Sequence, residues 1–266
     1  MAFDLNNHIY QFNLKTYQSD HANKHMELDE LKITEKKILD RFKNFLTGKR
    51  ILDVGCGTGR TTPHLLQFSS NYIGIDYSKK AIIICRKRFK DTVFHEMDVR
   101  DLDLFINNFF DFVFFSFNGI DSMGHNDRLR ALKEIHRVLG DQGLFVFSSH
   151  NRNFLKYKWK DKVPAPRFCW TTNPRDLIRK IYIFYISYRN YQKTSSLQHI
   201  EDDFAIVPGV SYLYRLLTYY ITVEAQIRQL REIGFDFHEC YGDDGALIKD
   251  KRDKGDSQWI YYIAQK

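Results

Sequence analysis

The chain is expected to fold as an α/β protein: a doubly wound, mostly parallel sheet with helices on both faces and one insertion. Three features predict this. Strand-like and helix-like segments alternate from Ile51 to Ser149, the pattern of strand–helix–strand units. The first strand runs into a glycine cluster, Gly55-Cys56-Gly57-Thr58-Gly59, which lets the backbone turn sharply toward a helix. Phe110 to Phe117 is almost continuously apolar, which implies burial on both faces of a sheet. The length of 266 residues suits one such domain plus an insertion.

The elements follow in order. Ile38, Leu39, Phe42, Phe45 and Leu46 form the apolar stripe of a helix over Lys36 to Leu46 that Gly48 would stop. Ile51 to Val54 is the first strand. After the glycines, Thr61-Thr62-Pro63 predicts a helix through about Phe68, with a threonine N-cap and proline at its first position. Asn71 to Asp76 reads as the second strand, Ser78 caps a helix through Phe89, Thr92 to Asp98 is the third strand and Phe110 to Phe117 the fourth. Asn126 or Asp127 can cap a helix with the stripe Leu129, Leu132, Ile135 and Leu139, ended by Gly140; Leu144 to Ser149 is the fifth strand. The rhythm breaks after His150 and resumes near Thr222, with a helix carrying Ala225, Leu230 and Ile233, stopped by Gly234. Strands at Phe235 to Tyr241 and Gln258 to Ala264 complete the pattern.

Composition narrows the function classes. Hydrophobic residues at 43% and charged ones at 27% exclude wholesale disorder and a disulfide scaffold. No apolar run approaches the roughly 18 to 20 residues that span a bilayer, so no membrane insertion is expected. Met1 to Tyr10 lacks the pattern of a secretory signal, and the expected location is cytoplasmic. Cys56, Cys85, Cys169 and Cys240 are scattered, without a C-x-x-C pair, which fits a reduced compartment and no zinc site. His21 and His25 stand at i, i+4 near Glu27, but without a third ligand at suitable spacing they read as a solvated helix face, and no metal is expected.

The chemistry is concentrated at strand ends. The glycine spacing is G-x-G-x-G, not the dinucleotide fingerprint G-x-G-x-x-G, and Asp53 stands two residues before the first glycine. A carboxylate there repels a pyrophosphate and attracts a cationic ligand. Asp76 ends the second strand, Asp98-Val99 the third, and Ser116-Phe117-Asn118-Gly119 follows the fourth. In these positions the sequence resembles the class I S-adenosylmethionine-dependent methyltransferases. The resemblance covers roughly residues 36–150 and 222–266, and it implies a Rossmann-like methyltransferase fold of seven strands with the last antiparallel. It also implies S-adenosyl-L-methionine as cofactor, with S-adenosyl-L-homocysteine as product. Asp53, Gly55, Cys56, Gly57 and Gly59 would then form the first cofactor loop, Asp76 would meet the ribose hydroxyls with Tyr77 beside it, Asp98 and Val99 would flank the adenine, and Phe117 would lie next to the methyl donor. An N-terminal arm, residues 1–35, would cover the cofactor, with Tyr17 or Tyr10 capping the pocket.

Methyl transfer requires alignment and exclusion of water more than side-chain chemistry. A general base would still serve an amine or hydroxyl acceptor, and His150, at the carboxyl edge of the sheet where such folds bind ligands, is the catalytic candidate. Asp121 and His125 follow the Asn118-Gly119 loop; they read first as turn-making or capping residues, with a place in the pocket lining as the alternative. Residues 151–221 read as a lid inserted between strand five and the last helix. From Asn151 to Lys193 this segment holds eleven basic residues against two acids, interleaved with aromatics. It carries the whole of the chain's +7 excess. It is open to three readings: a solvated lid, a lid selecting a small or medium-sized anionic acceptor, or an RNA-binding face. Tyr212, Tyr214, Tyr219 and Tyr220 would serve either as its floor or as core. The function expected is methyl transfer to an N or O atom of such a small-molecule acceptor. The alternatives are an RNA methyltransferase, a NAD-dependent oxidoreductase and a non-catalytic cofactor-binding protein. The sequence leaves the oligomeric state open.

Overall fold

The computed structural model describes residues 5–18, 30–160, 163, 165–249 and 256–266. Five parallel strands, β1 (Ile51–Val54), β2 (Tyr72–Asp76), β3 (Val93–Glu96), β4 (Phe110–Phe115) and β5 (Leu139–Asn151), lie in the order β3-β2-β1-β4-β5. Two further strands, β9 (Asp236–Gly242) and β10 (Trp259–Gln265), extend the sheet beyond β5, with β10 antiparallel to both of its neighbours. Asp53 pairs with Gly74 and Phe114, so the carboxyl ends of β1, β2 and β4 share one edge.

The alternation of side chains explains the apolar run of β4. Leu52, Val54, Val113, Phe115, Phe145 and Phe147 face one layer, formed by α5 (His125–Val138) and α8 (Val223–Ile233). Ile51, Phe112, Phe114, Leu144 and Val146 face the other, formed by α2 (Ile33–Leu46) and α4 (Lys79–Arg88). A strand buried on both faces has no polar side to show. Helix α8 stops at Gly234, whose φ of +113° only glycine adopts without strain.

The expected seven strands become ten among the described residues. The insertion adds β6 (His199–Ile200), β7 (Phe204–Pro208) and β8 (Leu217–Ile221), an antiparallel trio joined to the main sheet. The cause is the length of β5. It outruns β4, whose last partner is Phe147, and pairs through His150 and Asn151 with Tyr220 and Ile221 of β8. An exposed strand edge is thereby covered. The insertion also carries α6 (Arg152–Trp159), α7 (Pro174–Ser195) and a 3-10 turn, Ser211–Tyr214.

Two predicted caps are not caps. Helix α3 is only Thr62–Leu65, and Thr61 donates its hydroxyl to Asp53 at 2.6 Å instead of capping it. Helix α5 begins after Gly124 with no side-chain cap, and Asp127 accepts from Arg100 at 2.7 Å. Ser78 does cap α4, accepting from the Ala81 amide. The N-terminal α1 (Leu5–Tyr17) is tied to the insertion: Ile9 is fully buried among Ile206, Leu217 and Ile221. Asn13 donates to the carbonyls of Ser122 and Leu217 and accepts from the Leu217 amide. A helix well before the sheet thus closes against strands inserted late in the chain.

Candidate active site

At the carboxyl edge of β1, β2 and β4 lies a cavity of about 680 Å³, within the range of small-molecule and cofactor sites. Its floor is the glycine turn. Gly55 and Gly57 have φ of +64° and +57°, and a side chain at either would be strained. Gly59 also has positive φ but does not line the cavity; it packs behind the loop, where a Cβ would come within 2.5 Å of the Phe89 ring.

Two carboxylates stand under this turn. Asp53 accepts from the Thr61 hydroxyl at 2.6 Å and the Tyr72 hydroxyl at 2.8 Å. Asp76 accepts from the backbone amides of Gly57 at 3.0 Å and Ser78 at 2.7 Å. Burial pushes both carboxyls up to about 6, against hydrogen bonds that hold them lower. Neither has an ion-pair partner among the described residues. Tyr77 is enclosed by Tyr10 and Tyr17, with ring centroids 6.1 and 6.0 Å away. Asp98 is gripped by Arg100 through Nε and Nη2. Burial acts to raise its carboxyl, but these bonds prevail and hold it below the usual range. The Arg100 guanidinium lies 3.7 Å over the Tyr10 ring. Cys56 and Val99 are buried at the cavity wall.

The opposite wall follows β4. Phe117 and Asn118 are consecutive non-glycine residues at positive φ, +54° and +59°, a costly backbone that survives only when its surroundings fix it. Here Ser148 accepts from the Asn118 amide at 2.8 Å. The turn exposes Phe117 and aims Asn118 at His150, whose Nε2 is 3.5 Å from the Asn118 Nδ2. The Asn118 Oδ1 is buried without a hydrogen-bond partner. His150 Nδ1 lies 2.7 Å from Asp121, which also accepts the His150 amide at 2.6 Å. A carboxylate against Nδ1 favours the ring proton there, which leaves the Nε2 lone pair toward the Asn118 Nδ2 at the cavity wall.

Asp121 is therefore neither a turn-maker nor a cap. It is 1% exposed and receives Arg128 at 2.6 Å and the Ser149 hydroxyl at 2.7 Å; Arg128, 0% exposed, also bonds Gln226. His125 lies away from the cavity, stacked on Phe204 with its Nδ1 2.8 Å from the Tyr219 hydroxyl. Tyr214, Tyr219 and Tyr220 are buried in the packing of the insertion. His21, His25 and Glu27 lie outside the described residues, as does the side chain of Tyr212.

A second buried ion pair borders the cavity. Glu35, 0% exposed, accepts from Arg60 at 2.6 and 2.7 Å, from the Ser116 hydroxyl and from the Lys32 amide. Burial acts to raise Glu35, but Arg60 outweighs it and leaves the carboxyl below its ordinary value. Sequence reasoning missed this pair and Arg128. The one available signal was Arg60 directly after the glycine loop. The insertion roofs the cavity with Val210, Leu213, Leu216, Leu217 and Thr218, all uncharged. Among the described residues, none of the basic side chains between Asn151 and Lys193 lines it.

Comparison with known proteins adds three findings. A family model described as a methyltransferase domain matches residues 51–143. An uncharacterized protein of Methanocaldococcus jannaschii is 34% identical over 146 residues, which cover 54% of this chain and 51% of that relative. The match thus spans about half of that relative's length. Among solved structures, the CcbJ methyltransferase of Streptomyces caelestis superposes with a TM-score of 0.61 at 15% identity, covering 94% of this chain and 97% of that one. An S-adenosylmethionine-dependent methyltransferase from Clostridium acetobutylicum does so with a TM-score of 0.58 at 15% identity, covering 86% and 89%. At such identities the likeness is one of fold.

Proposed function

Residues 51–143 are a methyltransferase domain set in the class I S-adenosylmethionine-dependent fold, and from this premise we propose that the protein transfers a methyl group to a nitrogen or oxygen of a small or medium-sized acceptor. The observation that carries this reading is the arrangement around one cavity: two buried, unpaired acids under a glycine turn on one side, and an Asp121–His150 pair beside the unpartnered Asn118 Oδ1 on the other.

The residues fit the cofactor. Gly55 and Gly57 leave the turn free of side chains, and Asp76 faces the cavity with a carboxylate able to accept two hydroxyl protons. The Tyr10–Tyr17–Tyr77 cluster and the Asp98–Val99 strand end form a slot suited to an adenine. Asp53 adds negative charge where a cation would be welcome. When bound, S-adenosylmethionine supplies a sulfonium methyl that accepts the acceptor's lone pair as the carbon–sulfur bond breaks, leaving S-adenosylhomocysteine. Asn118, in the cavity lining, would orient the acceptor, its buried Oδ1 accepting a hydrogen bond from an N–H or O–H of the acceptor once the side chain turns toward it. His150 Nε2 would take the proton released, and Asp121 would hold the ring and stabilise its charged form. Phe117 and the apolar roof exclude water.

The neutral roof changes how an anionic acceptor would be recognised. Its negative group would meet Lys32, whose ammonium lies 5.1 Å over the Phe117 ring, since Arg60 is already committed to Glu35. The oxidoreductase alternative gives way to the methyltransferase match. Calorimetry with S-adenosylmethionine, S-adenosylhomocysteine and NAD tests the reading: both sulfur ligands should bind in the micromolar range, and binding of NAD alone would overturn it.

A further inference from the structure

The longest helix of the insertion is turned inside out for a soluble fold. Among the 22 residues of α7 only Ser187 and Thr194 are buried, while Ile178, Ile181, Tyr182, Tyr185 and Tyr188 are 72, 51, 64, 63 and 44% exposed. Their spacing of i, i+3, i+4, i+7 and i+10 places them on one outward stripe. Trp170, 81% exposed, stands close by in the same aromatic cluster, which runs through Phe168 and Phe184 to Tyr188. Arg175, Arg179, Arg189 and Lys193 flank the stripe and are all exposed, and the helix holds one acid, Asp176.

We propose that this face docks on an anionic lipid bilayer, with α7 lying in the plane of the interface. An aliphatic stripe with tyrosines and a tryptophan beside it and cations at its flank is the composition of an interfacial helix. No described helix is long and apolar enough to cross a membrane, so the chain would lie on the bilayer, not span it. The charge selects among occupants. A second copy would bring two sets of flanking cations together, whereas anionic headgroups neutralise them. Ile178 and Ile181 at the centre of the stripe neither stack on bases nor bind phosphates, as an RNA face requires.

The inner side of α7 connects this surface to the cavity. Asn190 donates to the Leu213 carbonyl at 2.8 Å, and Tyr191 packs edge-on to Tyr214 at 5.5 Å. Leu213 lines the cavity roof. The docking face is thus the outside of the roof, which places the cavity beside the interface where an amphiphilic acceptor would reside. The docking itself does not depend on which atom is methylated.

The full chain is tested by flotation with vesicles rich in phosphatidylglycerol and with vesicles of phosphatidylcholine alone. Binding is expected to the first, weakening with salt. Each of Arg175→Ser, Arg179→Ser and Arg189→Ser should lower the partition coefficient about fivefold, and the triple variant about a hundredfold. Ile181→Asp combined with Tyr185→Asp should abolish binding while circular dichroism and S-adenosylhomocysteine affinity stay unchanged. Three results would overturn the proposal: no binding to phosphatidylglycerol at low salt, a dimer in solution that the aspartate pair converts to monomer, or RNA binding by this face without vesicle binding.

Discussion

Asp53→Asn separates the cost of a buried charge from its use. The native carboxyl is 1% exposed and is pushed up by burial to about 6. An unfolded aspartate titrates near 3.9, so the shift of about two units corresponds to about 3 kcal/mol at most. Because the folded value is the higher one, the folded state holds the proton more tightly between the two values. Stability then falls as pH rises through that window, and the whole penalty is present above it. Asparagine keeps an oxygen to accept from Thr61 and Tyr72 and carries no charge. Relative to the wild type, the cofactor-free variant should gain about 0.5 kcal/mol at pH 4, about 1.5 at pH 5 and about 3 at pH 7.5. Urea unfolding followed by circular dichroism at these three pH values measures the difference, and other carboxylates cancel between the two proteins. A pH-independent difference, or a variant less stable at pH 7.5, would refute the reasoning. Affinity for S-adenosylmethionine should fall about tenfold in the same variant through loss of an opposing charge.

Four further outcomes follow from the geometry. Asp76→Ala should weaken S-adenosylhomocysteine binding at least a hundredfold by calorimetry, the loss expected when two charge-assisted hydrogen bonds to hydroxyls disappear. Asp121→Ala should cost about 3–5 kcal/mol in urea unfolding, because it leaves Arg128 buried without its carboxylate. Asp121→Asn, which retains one acceptor oxygen but not the charge opposite Arg128, should cost less stability than the alanine and still lower turnover by about two orders of magnitude. Gly119→Ala should destabilise by about 1–3 kcal/mol, since its Cβ would enter the ring of Phe115.

What was legible in the sequence is what repeats locally. The alternation of strand and helix, the glycine turn and the acids at strand ends depend on near neighbours, and the strands appear within a few residues of their expected places. The misses are long-range. Thr61 looks like a cap, but Asp53, eight residues earlier, takes its hydroxyl. Asp121 looks like a turn residue because its partners Arg128, Ser149 and His150 come from α5 and β5. Glu35 stands just before the helix expected from Lys36 and has no local mark, because its partners Arg60 and Ser116 lie 25 and 81 residues away. The insertion's strands escaped because β6 is two residues long and β8 is defined by its place against the overshoot of β5. Charge count also misled: the basic window is real, but folding puts the neutral part of the insertion over the cavity.

The contrast between Glu35 and Asp53 has a consequence for ligand binding. Both are fully enclosed carboxylates at one cavity. Glu35 has a bidentate guanidinium and stays ionised, while Asp53 has only hydroxyl partners and, like Asp76, is raised to about 6. A cationic ligand beside Asp53, and ribose hydroxyls donating to Asp76, both favour the ionised forms. Binding near pH 6, where each group is about half protonated in the free protein, should therefore expel protons, up to about one in total. Near pH 8 both are already ionised and none should leave. Calorimetry of S-adenosylmethionine binding at pH 6 in buffers of different ionisation enthalpy reads this directly as a slope in the observed heat. Asp53→Asn should reduce that slope by about half. Equal heats in all buffers at pH 6 would mean that the ligand's charge does not reach these acids, and the cofactor's sulfonium would have to lie elsewhere in the cavity.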